Sequence, residues 1–153
     1  MISQTGEYAL RAAVFLANSS DHPRPAWEIS AATKIPESYL AKVLGSLARA
    51  GLVSSQRGPR GGFVLARDPR EITLLDLICA VENWKHVEVC PLSRPEHEAR
   101  LCPLHRTLCE AESRVEEALR GCTLRELVAP AYGDACSFPE CQARPPHHPS
   151  HHS

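Results

Sequence analysis

Three cysteines, Cys90, Cys102 and Cys109, stand in a polar stretch interrupted by Pro91, Pro95 and Pro103. Free cysteine usually packs as a small buried hydrophobe. Three in a charged, proline-broken segment point instead to metal binding or redox chemistry. Thiolate is a soft donor that suits iron–sulfur clusters and zinc alike. Cys102 and Cys109 are seven residues apart. In one regular helix they would share a face about 10 Å apart, at a rise of about 1.5 Å per residue. That is too far for neighbouring ligands of one small cluster. Cys102 then sits in the turn before Pro103, folded back toward Cys109, or His105 replaces one of the two. His105 lies three residues after Cys102 and four before Cys109, and the cysteines with His105 would also satisfy tetrahedral zinc.

The chain has seven cysteines, an odd number that cannot pair completely within one copy. Cys79 lies in an apolar run and is expected in the core. Cys122 is expected to serve packing, and Cys136 and Cys141 to be solvated without function. No apolar run approaches the length of about 18–20 residues that a membrane helix needs. The N-terminus lacks the basic and apolar regions of a signal peptide. A cytoplasmic location is expected, with thiols kept reduced. The 153 residues suffice for one ordinary domain. The net charge of −1 conceals an asymmetry: residues 1–70 hold nine Lys/Arg against five Asp/Glu, and the remainder eight against thirteen. A basic front half suits a phosphate backbone.

The elements that must position these groups follow from periodicity. Gln4 to Asn18 places Ala9, Ala12, Ala13, Leu16 and Ala17 on a broad helical face. The segment Asp21 to Pro25 breaks that helix. A second helix is expected over about 26–33, a turn at Lys34-Ile35-Pro36, and a third helix from Glu37 to about Ala50. Two short helices joined by a tight turn form a helix-turn-helix, whose later helix lies in the major groove. Its first turns should present Ser38, Tyr39 and Lys42 to DNA, Lys42 reaching guanine acceptors or phosphate. Leu52 to Ser55 and Phe63 to Ala66 read as the strands of a hairpin wing. Arg57 and Arg60 at its tip suit a narrow, electronegative minor groove.

A fourth helix is expected over about 73–83. After the cysteine segment, Pro103 opens a long helix running to about Arg120. Leu101, Leu104, Leu108, Ala111, Val115, Ala118 and Cys122 are spaced alternately three and four apart, the spacing of a packed helix seam. Such a seam packs on its own core or pairs with a twofold mate. A last short helix is expected over 123–128. Residues 130–153, rich in Pro and His, should be a disordered tail. The expected fold is mainly α with a small β-hairpin wing: a winged helix-turn-helix domain over 1–70, then a cysteine loop and dimerisation helix over 71–129.

Glu7-Tyr8-Ala9-Leu10-Arg11, Ser38-Tyr39-Leu40 and the run from Gly51 to Phe63, in that order before a cysteine loop and a long helix, resemble the Rrf family of bacterial winged-helix transcription regulators. The resemblance covers about residues 1–129. It implies a homodimer joined through the long helix, and an iron–sulfur cluster held by the three loop cysteines and a variable fourth ligand. In NsrR-like members that ligand is a carboxylate on the partner subunit's first helix, and Glu7 occupies the matching position. In IscR-like members a histidine after the third cysteine serves, but none follows Cys109 until the tail. Two features depart from the family. The cysteines are more widely spaced, and Ala41-Lys42 stands where IscR-like members carry Glu-Gln, so a different operator is implied.

Residues and resemblance together lead to an expected function. The chain should be a dimeric repressor acting on double-stranded operator DNA. Its binding should be controlled by an iron–sulfur cluster that senses nitric oxide, redox state or iron–sulfur status. The metal ligands would be Cys90, Cys102, Cys109 and Glu7, and the last inclines the choice to a 4Fe–4S over a 2Fe–2S cluster. The alternative is a regulator using the cysteines for zinc or thiol–disulfide sensing. An electron carrier or redox enzyme is disfavoured, because neither ferredoxin spacing nor a nucleotide loop or catalytic triad is present.

Overall fold

The computed structural model describes residues 2–19, 22–84, 91–92 and 102–129. Six helices and one hairpin are formed in the order α1 (Gln4–Asn18), α2 (Ala26–Thr33), α3 (Glu37–Arg49), β1 (Val53–Gln56), β2 (Gly62–Leu65), α4 (Leu74–Val81), α5 (Pro103–Arg120) and α6 (Leu124–Val128) among the described residues. The mainly helical fold with a two-stranded wing is the one expected from the sequence. Cys90 and the tail over 130–153 lie outside the described residues.

The core is aliphatic. Ala9, Ala12, Ala13 and Leu16 of α1 meet Ile29 of α2, Leu40, Val43, Leu44 and Leu47 of α3, and Leu77 of α4. Alanines on α1 let the neighbouring helices approach closely. Leu124 of α6 is fully buried in the same cluster, so the chain's last described helix returns to the head. Backbone bonds fix that return: Leu74 N–H donates to the Cys122 carbonyl (3.0 Å) and Leu124 N–H to the Ile72 carbonyl (2.8 Å). Reciprocal capping boxes, Thr73 with Asp76 and Thr123 with Glu126, start α4 and α6 side by side. Two bonds from Thr123 hold the Glu126 carboxyl below the usual carboxylate range.

The wing pairs antiparallel, Val53 with Leu65 through Gln56 with Gly62. The segment before α2, read from sequence only as a helix breaker, adds a short third rung. Arg24 N–H donates to the Phe63 carbonyl (3.0 Å), and Phe63 N–H to the Arg24 carbonyl (2.8 Å). The wing is thereby tied to the start of the helix-turn-helix.

Cys79 overturns its expected burial: it is exposed on α4. Seven of the eight residues of α4 are apolar, so periodicity could not show which side faces inward. The structure buries Leu75, Leu77 and Ile78, and Cys79 faces outward. The helix also ends earlier than expected. Glu82 is extended (φ −118°, ψ 145°), and its carboxylate accepts from both the N–H (3.0 Å) and the hydroxyl (2.6 Å) of Ser3.

Candidate nucleic-acid interface and sulfur site

The reading helix is amphipathic for a simple reason. Leu40, Val43, Leu44 and Leu47 hold its inner face in the core. Ser38, Tyr39 and Lys42 fall on the outer side, and all three are exposed, Tyr39 by 54%. Pro36 caps the helix, and Lys34 turns the chain into it through a left-handed conformation (φ 57°). The Tyr8 ring meets that of Tyr39 edge-on, with centroids 6.3 Å apart and planes at 66°. The Lys42 ammonium lies 5.8 Å from the Tyr39 centroid. The Arg11 guanidinium lies 5.8 Å from the Tyr8 centroid, and Glu7 pairs with Arg11 at 3.7 Å. The sequence shows Tyr8 and Arg11 as part of the first-helix motif but assigns them no role at the site. They support the exposed ring of Tyr39 and link it to Glu7.

Arg57 and Arg60 are exposed in the wing turn. Gly58 gives that turn its positive φ (113°), a conformation that side chains disfavour. Arg57→Ala should weaken operator binding by about 1–3 kcal/mol, the usual range for a groove contact, and lower the salt slope by about one. Fluorescence anisotropy at several fixed salt concentrations measures both. Unchanged affinity would remove Arg57 from the interface.

The sulfur site is partly built within the described chain. Cys102 is the N-cap of α5, just outside the regular helix (φ −66°, ψ 159°) and directly before Pro103. It is 5% exposed, and its sulfur accepts from the His105 backbone N–H at 3.4 Å. A helix N-terminus favours thiolate over thiol. His105, 8% exposed, is the buried polar side chain of the described residues. Cys109 is half-buried on the next turn. Glu7 is exposed in the first turn of α1, its side chain 55% accessible. Among the described residues no three His, Cys, Asp or Glu side chains converge on one point, so Cys102, Cys109 and Glu7 are not gathered by a single chain. Cys90, the other candidate ligand, lies outside the described residues.

Two further thiols, Cys79 and Cys122, are pushed toward the neutral form. Burial pushes the Cys79 thiol up, and the nearby Glu116 and Asp76 carboxylates push further against the opposing pull of Arg120. Burial likewise raises Cys122, with Glu126 adding to it. Cys79 should therefore alkylate more slowly at pH 7 than a free cysteine despite its exposure, because less thiolate is present. Peptide-resolved mass spectrometry after iodoacetamide treatment checks this. Labelling at the free-thiol rate would contradict it.

The described residues include no helix long and apolar enough to cross a membrane. Comparison with known proteins places the whole arrangement. A family model described as Rrf2, iron-dependent transcriptional regulator, matches residues 2–130. An HTH-type transcriptional regulator of Aquifex aeolicus is 35% identical over 131 residues, covering 84% of this chain and 91% of that protein. Among solved structures, the global cysteine regulator CymR of B. subtilis superposes with a TM-score of 0.69 at 31% identity, over 84% of this chain and 95% of that one. T. potens IscR does so with a TM-score of 0.64 at 28% identity, over 84% and 85%. The relatives are regulators of transcription rather than enzymes. With its helix-turn-helix, tethered wing and end-to-end match, the chain belongs to the Rrf2 family of transcriptional regulators.

Proposed function

We propose that the chain is a cytoplasmic, dimeric repressor whose grip on an operator is set by an iron–sulfur cluster. Cys90, Cys102 and Cys109 would hold the cluster, with Glu7 of α1 as fourth ligand from the partner copy. The observation that carries this reading is the burial of Cys102 beside His105 at the start of α5. A sulfur donor shielded from water suits soft iron. When bound, a 4Fe–4S cluster would supply iron open to attack by oxidant or nitric oxide. Glu7 suits a lent ligand: its carboxylate makes an exposed ion pair with Arg11, and such pairs contribute no more than about 1 kcal/mol. Giving up Arg11 also frees the guanidinium that rests on Tyr8, one ring away from Tyr39 of the reading helix. His105, buried against Cys102, competes with Glu7 for the fourth place.

The dimer is supported by α5. Ala111 and Ala118 are exposed, Leu104 is 40% exposed, and Leu108 and Val115 are half-buried. These are the positions of the expected seam. α5 also packs on α4, and the accessible apolar positions of the stripe suit a second copy.

A second reading keeps the regulator and omits the cluster. The likeness to CymR, described as a global cysteine regulator, favours thiol oxidation or zinc at the same cysteines. Operator binding by protein purified without air, compared with the same protein stripped by chelator, tests the first reading. A change of tenfold or more supports it. Equal affinity, with a response only to thiol oxidants, favours the second.

A further inference from the structure

Trp27 is the most exposed large hydrophobic side chain of the described residues, at 64%. It stands in the first turn of α2, two residues before the fully buried Ile29. Two residues turn a helix by about 200°, so the indole points directly away from the core. A ring so placed is available for contact, with an apolar face and one N–H donor.

Its surroundings say with what. In a helix-turn-helix the later helix enters the major groove and the earlier helix crosses the backbone beside it. Here that earlier helix is α2. It packs against α3, and its N-terminal end is tied to the wing by the Arg24–Phe63 bridge. Trp27 thus stands on the helix that is joined to α3, which would enter the major groove, and at its start to the wing, which would reach the next minor groove. The ridge of phosphates separating those grooves passes there. Lys34 is exposed beyond Trp27 and Ala31 on the same side of α2, and exposed cations stand on both elements joined to α2: Lys42 on α3, and Arg57 and Arg60 in the wing turn. Arg24, the nearest cation in sequence, is already paired with Glu28 at 2.7 Å. The neighbouring backbone is held in place by the two Arg24–Phe63 bonds, so the indole is carried on rigid support.

We infer that Trp27 is a DNA-positioning residue that lays its ring on the sugar–phosphate backbone and donates its indole N–H to a phosphate oxygen. The inference rests on the regulator binding DNA through α3 and the wing. Backbone contacts fix register without reading sequence. A neutral indole displaces no counterion, so its loss should leave the salt dependence alone.

The test uses the full chain and two 30-base-pair duplexes, one enriched by the protein from a random pool and one of mixed sequence at low salt. Trp27→Ala should weaken both by the same factor, about tenfold for loss of a hydrogen bond to a charged group with its packing. The salt slope should be unchanged, unlike that of Arg57→Ala. Trp27→Phe, which keeps the ring and loses the donor, should fall between. In the Trp84→Phe protein, where Trp27 is the remaining tryptophan, saturating duplex should change indole emission. Wild-type affinity in Trp27→Ala, a loss confined to one duplex, or emission indifferent to DNA but responsive to RNA polymerase would each overturn the inference and leave the regulator standing. A wild-type protein that bound neither duplex would overturn both.

Discussion

Cys102→Ser should leave the fold intact and abolish retention of any iron–sulfur cofactor, and with it the cofactor's control of DNA binding. Cys102 has two roles that the serine separates. As the N-cap of α5 its sulfur accepts the His105 N–H, and serine is at least as good a cap. As a ligand it supplies soft sulfur, which a hydroxyl does not replace. Cys102→Ala removes both roles and should add a loss of about 1 kcal/mol in helix stability. Circular dichroism and thermal melting follow the first effect; iron and sulfide content after anaerobic purification follow the second. Serine protein that melts normally yet carries no iron is the expected result. Serine protein with full iron would exclude Cys102 as a ligand.

Gly62→Ala should strongly damage the DNA-binding head. Gly62 has a φ of 154°, and a Cβ there would lie 2.4 Å from both the carbonyl carbon and oxygen of Arg24 and 2.8 Å from Pro25 N. These are backbone atoms and cannot swing aside as a side chain could. Relief requires parting the Arg24–Phe63 bridge, with its two hydrogen bonds of 3.0 and 2.8 Å. Backbone strain of about 1–3 kcal/mol and two hydrogen bonds of about 1 kcal/mol each together suggest a loss of about 3 kcal/mol or more. For a chain of this size that lowers the melting temperature by roughly 10 °C. Operator affinity should fall further than for Arg57→Ala, because the whole wing loses its anchor. A melt within 2 °C of wild type, to use about the smallest shift a 1 kcal/mol change produces, would show that the wing is not fastened through Gly62.

Most of the scaffold was legible because local signals agreed. The alanine face of α1, the turn at Lys34–Pro36, and Pro103 with Arg120 at the ends of α5 gave elements whose bounds the structure reproduces closely. What escaped was set by contacts far apart in sequence. The rung at Arg24 exists because Phe63 faces it, and no five-residue pattern announces that. Val81 ends α4 because the Glu82 carboxylate turns to Ser3, 79 residues away. Cys79 faces outward because α4 is apolar on nearly every side, leaving tertiary packing to choose its inner face. At the site, the outward residues of α3 could be named from helix position alone, since one side of α3 must enter the core. The sulfur site could not be completed in that way. Its proposed ligands are drawn from α1 and from both sides of a proline-broken segment, and the proposal takes one of them from a second copy.

The most direct test of the central claim is visible absorption combined with native mass measurement of the full chain purified without air. A brown dimer heavier than two polypeptides by the iron and sulfide of a cluster, bleached by nitric oxide and colourless in Cys102→Ser, is the expected result. A colourless dimer that holds zinc or a disulfide and still binds its operator would contradict it.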